Sequence, residues 1–234
     1  MKRSLMGLFG CLLATSAMAQ GPVYSVNIVG FGKQTLERNK QYMVSTAFAD
    51  INGNPALTAN DVFGSQLPVN AQIIYFDGVP DPSPYTILTR AGFGANNGWA
   101  TNLVFQGFMG FWVKIPNTAV PATQTVWEVV LKGEVPDAGS VSNLVKVGLN
   151  QLGYPYTADL TFSNSALFGL ANVNVQLIIW NPATTNYVGG IYTKPGFGTW
   201  AAGPVVIKLG QGFWFKRVNG TNFTYTENRP YPAP

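Results

Sequence analysis

The stretch NAQIIYFDGVPDPSPYTILTRAGFG, residues 70–94, decides the fold, because it returns as NVQLIIWNPATTNYVGGIYTKPGFG at residues 174–198. The two stretches align without a gap at a constant offset of 104, and eight of their 25 positions are identical. The identical pairs are Asn70/Asn174, Gln72/Gln176, Ile74/Ile178, Ile87/Ile191, Thr89/Thr193, Gly92/Gly196, Phe93/Phe197 and Gly94/Gly198. A second match follows, since residues 110–114 read GFWVK and residues 212–216 read GFWFK. Self-similarity of this kind indicates a duplicated unit.

Short apolar runs bounded by Gly, Pro and Asn predict β-strands throughout the chain. Residues 72–76 and 176–180 are continuous apolar runs, which favour strands covered on both faces, and residues 126–133 alternate between apolar and polar positions. Further strands are predicted at residues 23–30, 42–48, 85–90, 111–115, 144–150, 187–194, 213–218 and 223–226. No segment has a sustained helical period. The predicted fold class is therefore all-β, with two tandem homologous β-sandwich or barrel-like units of about 100 residues packed side by side.

The N-terminus has the pattern of a secretory signal peptide. Lys2 and Arg3 precede a short apolar segment at residues 5–14, and residues 17–19 read Ala-Met-Ala, a small-x-small cleavage site. Cleavage near Ala19 predicts an exported protein of the periplasm, the cell surface or the extracellular space. The alternative is a lipoprotein leader with its lipid on Cys11.

Composition shifts divide the chain into four segments. Residues 1–19 are the predicted signal peptide, 20–135 the first β repeat unit and 136–228 the second. Residues 136–140 are the candidate linker, which is too short to let two domains move independently. Residues 229–234 form a Pro-rich tail that we expect to be extended.

The residue types favour a protein that is not an enzyme. The chain has no histidine, and its one cysteine, Cys11, leaves with the leader, so the usual nucleophile–base pairs are absent. Without Lys2 and Arg3, 12 basic residues face 10 acidic ones, a net charge of +2. Apart from the adjacent Lys216 and Arg217, the basic residues are scattered singly, which argues against nucleic acid as a partner. No second apolar run approaches the roughly 18 residues of a transmembrane segment.

Paired aromatic residues offer a candidate ligand-binding surface. Aromatic rings with polar edges can stack on sugar rings, but paired aromatics in a duplicated β unit are also typical of a core. The candidate positions are Trp99, Trp200, Trp112, Trp214, Tyr85 and Tyr187. Alternation along a strand places Trp112 and Lys114 on one face and Phe111 on the other, and leaves open which face is covered.

One loop has the ligand spacing of a calcium site. Asp50, Asn52, Asn54 and Asp61 stand at positions 1, 3, 5 and 12, and the loop resembles a dockerin-type repeat over those twelve residues only. Pro55 occupies the place of the usual glycine. The other interpretation is an Asx-rich turn before a short helix. No other cofactor is predicted.

Two smaller signals concern local structure. Thr58 and Ser163 are candidate N-cap residues for one helical turn in each unit. Residues 92–94 and 196–198 both read Gly-Phe-Gly, which predicts a turn with positive φ around a buried aromatic ring rather than a phosphate-binding loop.

Several motifs resemble those of uncharacterised exported proteins from the Planctomycetes–Verrucomicrobia group of bacteria. The chain has their Tyr-Ser-Val-Asn-x-Val-Gly opening at residues 24–30, their Gly-x-Gly-Phe-Phe/Trp motif at residues 210–214 and their Gly-Glu-Val strand end at residues 133–135. The first unit departs from the pattern, with GFMG at residues 107–110. The resemblance implies export and a duplicated β architecture and implies no activity.

These observations give two functional expectations. The first is an exported non-enzymatic structural or adhesive protein of the cell envelope or extracellular space, whose partners are other copies of itself or other envelope proteins. The alternative is a carbohydrate-binding module that holds a polysaccharide on the paired aromatic residues.

Overall fold

The computed structural model describes residues 29–49, 57–76, 78, 84–93, 98–99, 103–169, 174–187, 190–194, 200 and 205–232. These residues form sixteen strands and one short α-helix, which confirms the all-β prediction. No helix in these ranges has both the length and the apolar character needed to span a bilayer.

The first half of the chain contains eight of the strands and the helix. In order they are β1 (Val29–Glu37), β2 (Lys40–Ser45), β3 (Leu57–Thr58), α1 (Ala59–Phe63), β4 (Gln72–Phe76), β5 (Tyr85–Thr89), β6 (Val104–Phe105), β7 (Gly110–Ile115) and β8 (Val126–Glu134).

The second half repeats this order. It contains β9 (Ser140–Val145), β10 (Gly148–Gly153), β11 (Leu160–Thr161), a 3-10 turn (Phe162–Asn164), β12 (Val175–Ile178), β13 (Ile191–Lys194), β14 (Val206–Ile207), β15 (Gly212–Arg217) and β16 (Phe223–Asn228).

Strand pairing follows the same plan in both halves. The first half has a four-stranded antiparallel sheet in the order β2-β7-β4-β5, a ribbon of β1 and β8, and the short pair β3 and β6. The second half has the sheet β10-β15-β12-β13, the ribbon β9 and β16, and the pair β11 and β14. No described sheet mixes strands from the two halves. Descent from one duplicated unit stays a prediction, and the element order is consistent with it.

Each four-stranded sheet covers a hydrophobic core with its inner face. In the first half Ile73, Phe111 and Val113 are inaccessible to water and pack beneath α1 and the β1–β8 ribbon. Val175, Leu177 and Phe215 hold the corresponding places in the second half. Burial of each of these side chains contributes roughly 1.5–3 kcal/mol. The inner faces therefore supply most of each core, and each core also receives a side chain from the other half, Phe108 in the second and Leu209 in the first.

Several predicted strand boundaries differ from the observed ones. The predicted strand at residues 144–150 is two strands, because the side chain of Asn150 accepts a hydrogen bond from the Lys146 amide and donates to its carbonyl, both at 2.8 Å. Gly148 completes that turn with φ 99°. Among the described residues of the strand predicted at residues 187–194, Ile191–Lys194 form a strand and Tyr187 and Gly190 do not. Strand β1 continues to Glu37, well beyond the predicted end at Gly30.

The predicted helix caps meet different outcomes. Thr58 caps α1, since its hydroxyl accepts from the Asp61 amide while the Asp61 carboxylate accepts from the Thr58 amide. Ser163 is not a cap, because it lies inside the 3-10 turn and Thr161 precedes that turn without a capping side chain.

The prediction of a buried aromatic ring between two glycines is wrong for Phe93, because its side chain is 81% exposed beside Gly92 at φ 87°.

Backbone contacts join the two halves at a corner. The Ser45 amide donates to the Gly210 carbonyl at 2.9 Å, and the Gly153 amide donates to the Phe108 carbonyl at 2.8 Å. Ser45 ends β2 and Gly153 ends β10, so the two contacts are equivalent in the two halves. They cover the ends of two edge strands that would otherwise expose unpaired backbone groups.

Glycine is required at this corner because the chains approach too closely for a side chain. A Cβ on Gly110 would lie 2.4 Å from the Leu152 carbonyl oxygen, and a Cβ on Gly212 would lie 2.7 Å from the Val44 carbonyl oxygen. Both obstacles are backbone atoms, which cannot move aside without separating the halves. This explains why Gly-Phe-Trp occurs in both units.

We therefore expect Gly110→Ala to lower the free energy of unfolding by about 2 kcal/mol, because overpacking against a fixed carbonyl strains the corner. Gly139→Ala is the matched control, since a Cβ there meets no atom within 4 Å. Urea denaturation followed by circular dichroism measures both. Equal stability of the two variants would contradict a corner that requires glycine.

Candidate functional site: the junction and the outer faces of the two sheets

The outer faces of the two sheets meet in an aromatic cluster, here called the junction. It consists of the buried side chains Met43, Trp112, Trp180 and Trp214, with Ile74, Phe76, Ile178 and Tyr187 at its margin. The rings of Trp112 and Trp180 meet edge to face, with centroids 5.0 Å apart and planes at 89°. Phe76 meets Trp214 similarly at 5.2 Å. Such geometry adds about 0.5–1.5 kcal/mol per pair to the energy of burial.

Two indole N–H groups in the junction have hydrogen-bond acceptors. Trp180 Nε1 donates to the Gln41 carbonyl at 2.7 Å, which ties the second half to β2. Trp214 Nε1 donates to the Tyr187 hydroxyl at 3.1 Å. Burial raises the pKa of Tyr187, and the hydrogen bond from Trp214 opposes that rise. The junction thus satisfies these polar groups as well as filling space.

The structure buries three of the six residues of the predicted aromatic platform. Trp112 and Trp214 are buried in the junction, and Trp99 is buried beside Phe63 in the first core. An indole with this little exposure offers no face to a sugar ring in this conformation. The structure therefore brings Trp112, Trp214 and Tyr187 together in the junction, and the six positions do not form one exposed surface.

The remaining three candidates are nearer the surface. Trp200 is half-buried, with its ring stacked 5.7 Å from that of Phe168 and its Nε1 donating to the Phe168 carbonyl. Tyr187 is half-buried at the junction margin. Tyr85 is 40% exposed and packs against Phe76 at 5.4 Å. The surface-platform prediction thus depends chiefly on Tyr85.

The calcium prediction has one member within the described ranges. Asp50, Asn52 and Asn54 lie outside them. The carboxylate of Asp61 accepts from the amide and the hydroxyl of Thr58, so it takes part in the helix cap. Among the described residues there is no group of three or more potential metal ligands.

Most identities between the two sheets fall on their outer faces, and the buried pair Phe111/Phe213 is an exception on the inner face. Across the first sheet, one outer row is Met43-Trp112-Ile74-Ile87 and the next is Gln41-Lys114-Gln72-Thr89. The matching rows of the second sheet are Gln151-Trp214-Ile178-Ile191 and Leu149-Lys216-Gln176-Thr193. Three of the four positions are identical in each pair of rows.

The inner faces show the opposite. The inner row Tyr42-Val113-Ile73-Leu88 corresponds to Asn150-Phe215-Leu177-Tyr192, and no position is identical. The two halves therefore differ in the row that fills their cores and agree on the rows that face outward. Some of these outward residues are well exposed, since Ile87 is 58% exposed and Ile191 is 55% exposed.

We name the polar part of this pattern the strips. Strip 1 is Thr89, Gln72 and Lys114, and strip 2 is Thr193, Gln176 and Lys216, each running across three neighbouring strands. Lys114 and Thr89 are exposed and the other four are half-buried. Paired aromatic residues, from which the sequence predicts a binding surface, do not indicate the strips. Their signal was present in the repeated Gln, Thr and Lys.

One buried acid lies apart from the junction. Glu227, on β16, is almost fully buried, accepts from the Ser165 hydroxyl and is 3.4 Å from the Ala166 amide. Burial raises its pKa, and the hydrogen bonds oppose the rise. Its neighbour Tyr154 has a pKa raised to about 12, first by burial and then by the charge of Glu227. No described cation forms an ion pair with Glu227.

The chain matches no protein-family model, no curated protein and no solved structure. The junction and the strips are therefore interpreted from their own geometry.

We expect Trp112→Ala to lower the free energy of unfolding by about 3–5 kcal/mol, because it leaves a cavity against Trp180 and Trp214. Tyr85→Ala, at the exposed margin of the same aromatic group, should cost less than about 1 kcal/mol. Denaturant titration monitored by tryptophan fluorescence and circular dichroism compares them. A Trp112→Ala protein as stable as Tyr85→Ala would show that the junction does not hold the halves together.

Glu227 gives a prediction about pH. Its pKa is higher in the folded than in the unfolded protein, so the folded state holds the proton more tightly. The stabilisation is complete below the unfolded value of about 4.5 and is lost as pH rises through the folded pKa. Glu227→Gln should remove this loss of unfolding free energy. Denaturation curves measured from about pH 4 to about pH 8, a range that begins near the ordinary pKa of a carboxyl group, test this.

Asp159 is the control of opposite sign. Lys208 and the Leu209 amide lower its pKa, so its stabilisation is present above pH 3.8 and is lost as pH falls. Asp159→Asn should therefore reduce the loss of unfolding free energy at acidic pH and leave the pH dependence above that range unchanged. The attribution of this pH dependence to Glu227 would be refuted if the unfolding free energy of Glu227→Gln fell with pH above 4.5 as steeply as that of the wild type.

Proposed function

We propose that this protein is an exported, non-enzymatic component of the cell envelope or extracellular space with a structural or adhesive role. The motifs at the N-terminus support export, and the outer faces of the sheets support the adhesive role. The protein acts by holding two copies of one binding face in a fixed relation.

The junction supports a rigid arrangement of the halves. Its tryptophans are buried between the sheets, and the corner adds backbone hydrogen bonds at 2.8 and 2.9 Å. Two units fixed in this way present the strips at a constant separation. An adhesive surface gains from such preorganisation, because less conformational entropy is lost on binding.

The observation that carries the proposal is the agreement of the two halves at exposed positions. Ile87 and Ile191 lie on β5 and β13, the outermost strands of their sheets, and both point outward. More than half of each side chain is exposed, so burial within the chain accounts for only part of its apolar surface. Their presence at the same place in both halves is explained by contact with a partner, either another envelope component or a second copy.

The double variant Ile87→Lys/Ile191→Lys tests this role. We expect the purified protein to co-sediment with envelopes isolated from the producing cells or to self-associate in sedimentation velocity. The double variant should weaken that association at least about tenfold, because it replaces buried apolar contact with charge. Val126→Lys, at an exposed position on β8, is the control and should leave association unchanged.

A wild-type protein that remains monomeric and does not bind envelopes would contradict the proposal. So would an equal effect of Val126→Lys, since that would show a general effect of added charge.

A further inference from the structure

Each strip lies on the same sheet face as the junction residues, two positions further along the strands. Along β7 the side chains on the outer face are Gly110 at the corner, Trp112 in the junction and Lys114 in strip 1. The same order, Gly212 to Trp214 to Lys216, runs along β15. Because alternate residues of a strand share a face, each strip continues the junction surface outward into solvent.

The chemistry of a strip suits a particular class of ligand. Lys114 supplies an ammonium, Gln72 an amide that both donates and accepts, and Thr89 a hydroxyl. The adjacent outer row adds the exposed aliphatic surface of Ile87. A ligand that uses all of these presents a carboxylate, several hydroxyls and an apolar C–H face. A uronic acid ring has all three.

The charge of the strips favours such a ligand over a second copy of the chain. Neither Lys114 nor Lys216 forms an ion pair with a described residue, and neither row contains a carboxylate. Any contact between strips of two copies would set ammonium groups against each other, which is unfavourable. An acidic polymer instead supplies the opposite charge.

The duplication gives a further reason to expect a polymer. Two identical strips on one rigid chain can hold two residues of the same repeating ligand at once. The second contact is then intramolecular, so the affinity for a polymer exceeds that for one sugar unit without any new type of contact.

We propose that strips 1 and 2 together bind a carboxylated polysaccharide, with Lys114 and Lys216 each holding one carboxylate of the chain. The proposal rests on the adhesive function above and names its partner. Gln72 and Gln176 hold ring hydroxyls beside those carboxylates.

The test measures binding of the full purified protein to immobilised polygalacturonate and to dextran, a neutral polysaccharide, by biolayer interferometry. We expect binding to polygalacturonate and not to dextran. Lys114→Gln or Lys216→Gln alone should weaken it about tenfold, the effect of one charge-assisted hydrogen bond. The affinity of the double variant for polygalacturonate should be no higher than the affinity of the wild-type protein for the galacturonic acid monomer. Lys132→Gln, at an exposed lysine on β8, is the charge-matched control.

Three results would overturn the proposal. They are equal binding to dextran, equal loss of binding with Lys132→Gln, and a double lysine variant that binds like the wild type. Circular dichroism of each variant confirms that the fold is intact. If polygalacturonate binding fails while Ile87→Lys/Ile191→Lys still abolishes envelope association, the adhesive function stands and this choice of partner is wrong.

Discussion

The approach of backbone to backbone at the corner is the constraint on which the rest of the structure depends. Gly110 lies against the Leu152 carbonyl and Gly212 against the Val44 carbonyl, at distances that leave no room for a side chain. Hydrogen bonds close the same corner from both sides. Because the two contacts are equivalent, each half supplies the glycine for one and the carbonyl for the other. The halves therefore depend on each other through a contact that only glycine permits.

The corner fixes the roles of the residues that follow it. Two residues beyond each glycine the chain places a tryptophan, and two residues further a lysine, all on one face of the sheet. Sheets joined at the corner enclose the tryptophans and leave Lys114 exposed and Lys216 half-buried. One five-residue motif thus contains a close backbone contact, a buried ring and a charge outside the junction. Its repetition at residues 110–114 and 212–216 gives both halves the same surface.

The sequence predicts strands better than it predicts burial. Strands β4, β5, β7 and β15 are found within a residue or two of their predicted bounds, because apolar runs between turn residues are a strong signal. The sequence does not predict that Trp112 is buried, since alternation defines two faces of a strand without showing that both are covered. The turn at Lys146 depends on the side chain of Asn150, and the exposure of Phe93 depends on the turn at Gly92. Such local hydrogen bonds and backbone dihedral angles leave no periodic pattern of apolar residues in the sequence.

The distribution of identities between the halves separates stability from function. A core tolerates exchange when the total volume is kept, so Val113 and Phe215 can occupy equivalent inner positions while the neighbouring pair Tyr42 and Asn150 differs in volume in the opposite direction. Stability alone therefore does not require the halves to agree on their cores. Nor does it require agreement at exposed positions, where most substitutions have small effects. Agreement at Ile87 and Ile191, and between Lys114 and Lys216, is therefore the part of the pattern that folding explains least. In our proposal, a partner that contacts both halves in the same way accounts for it.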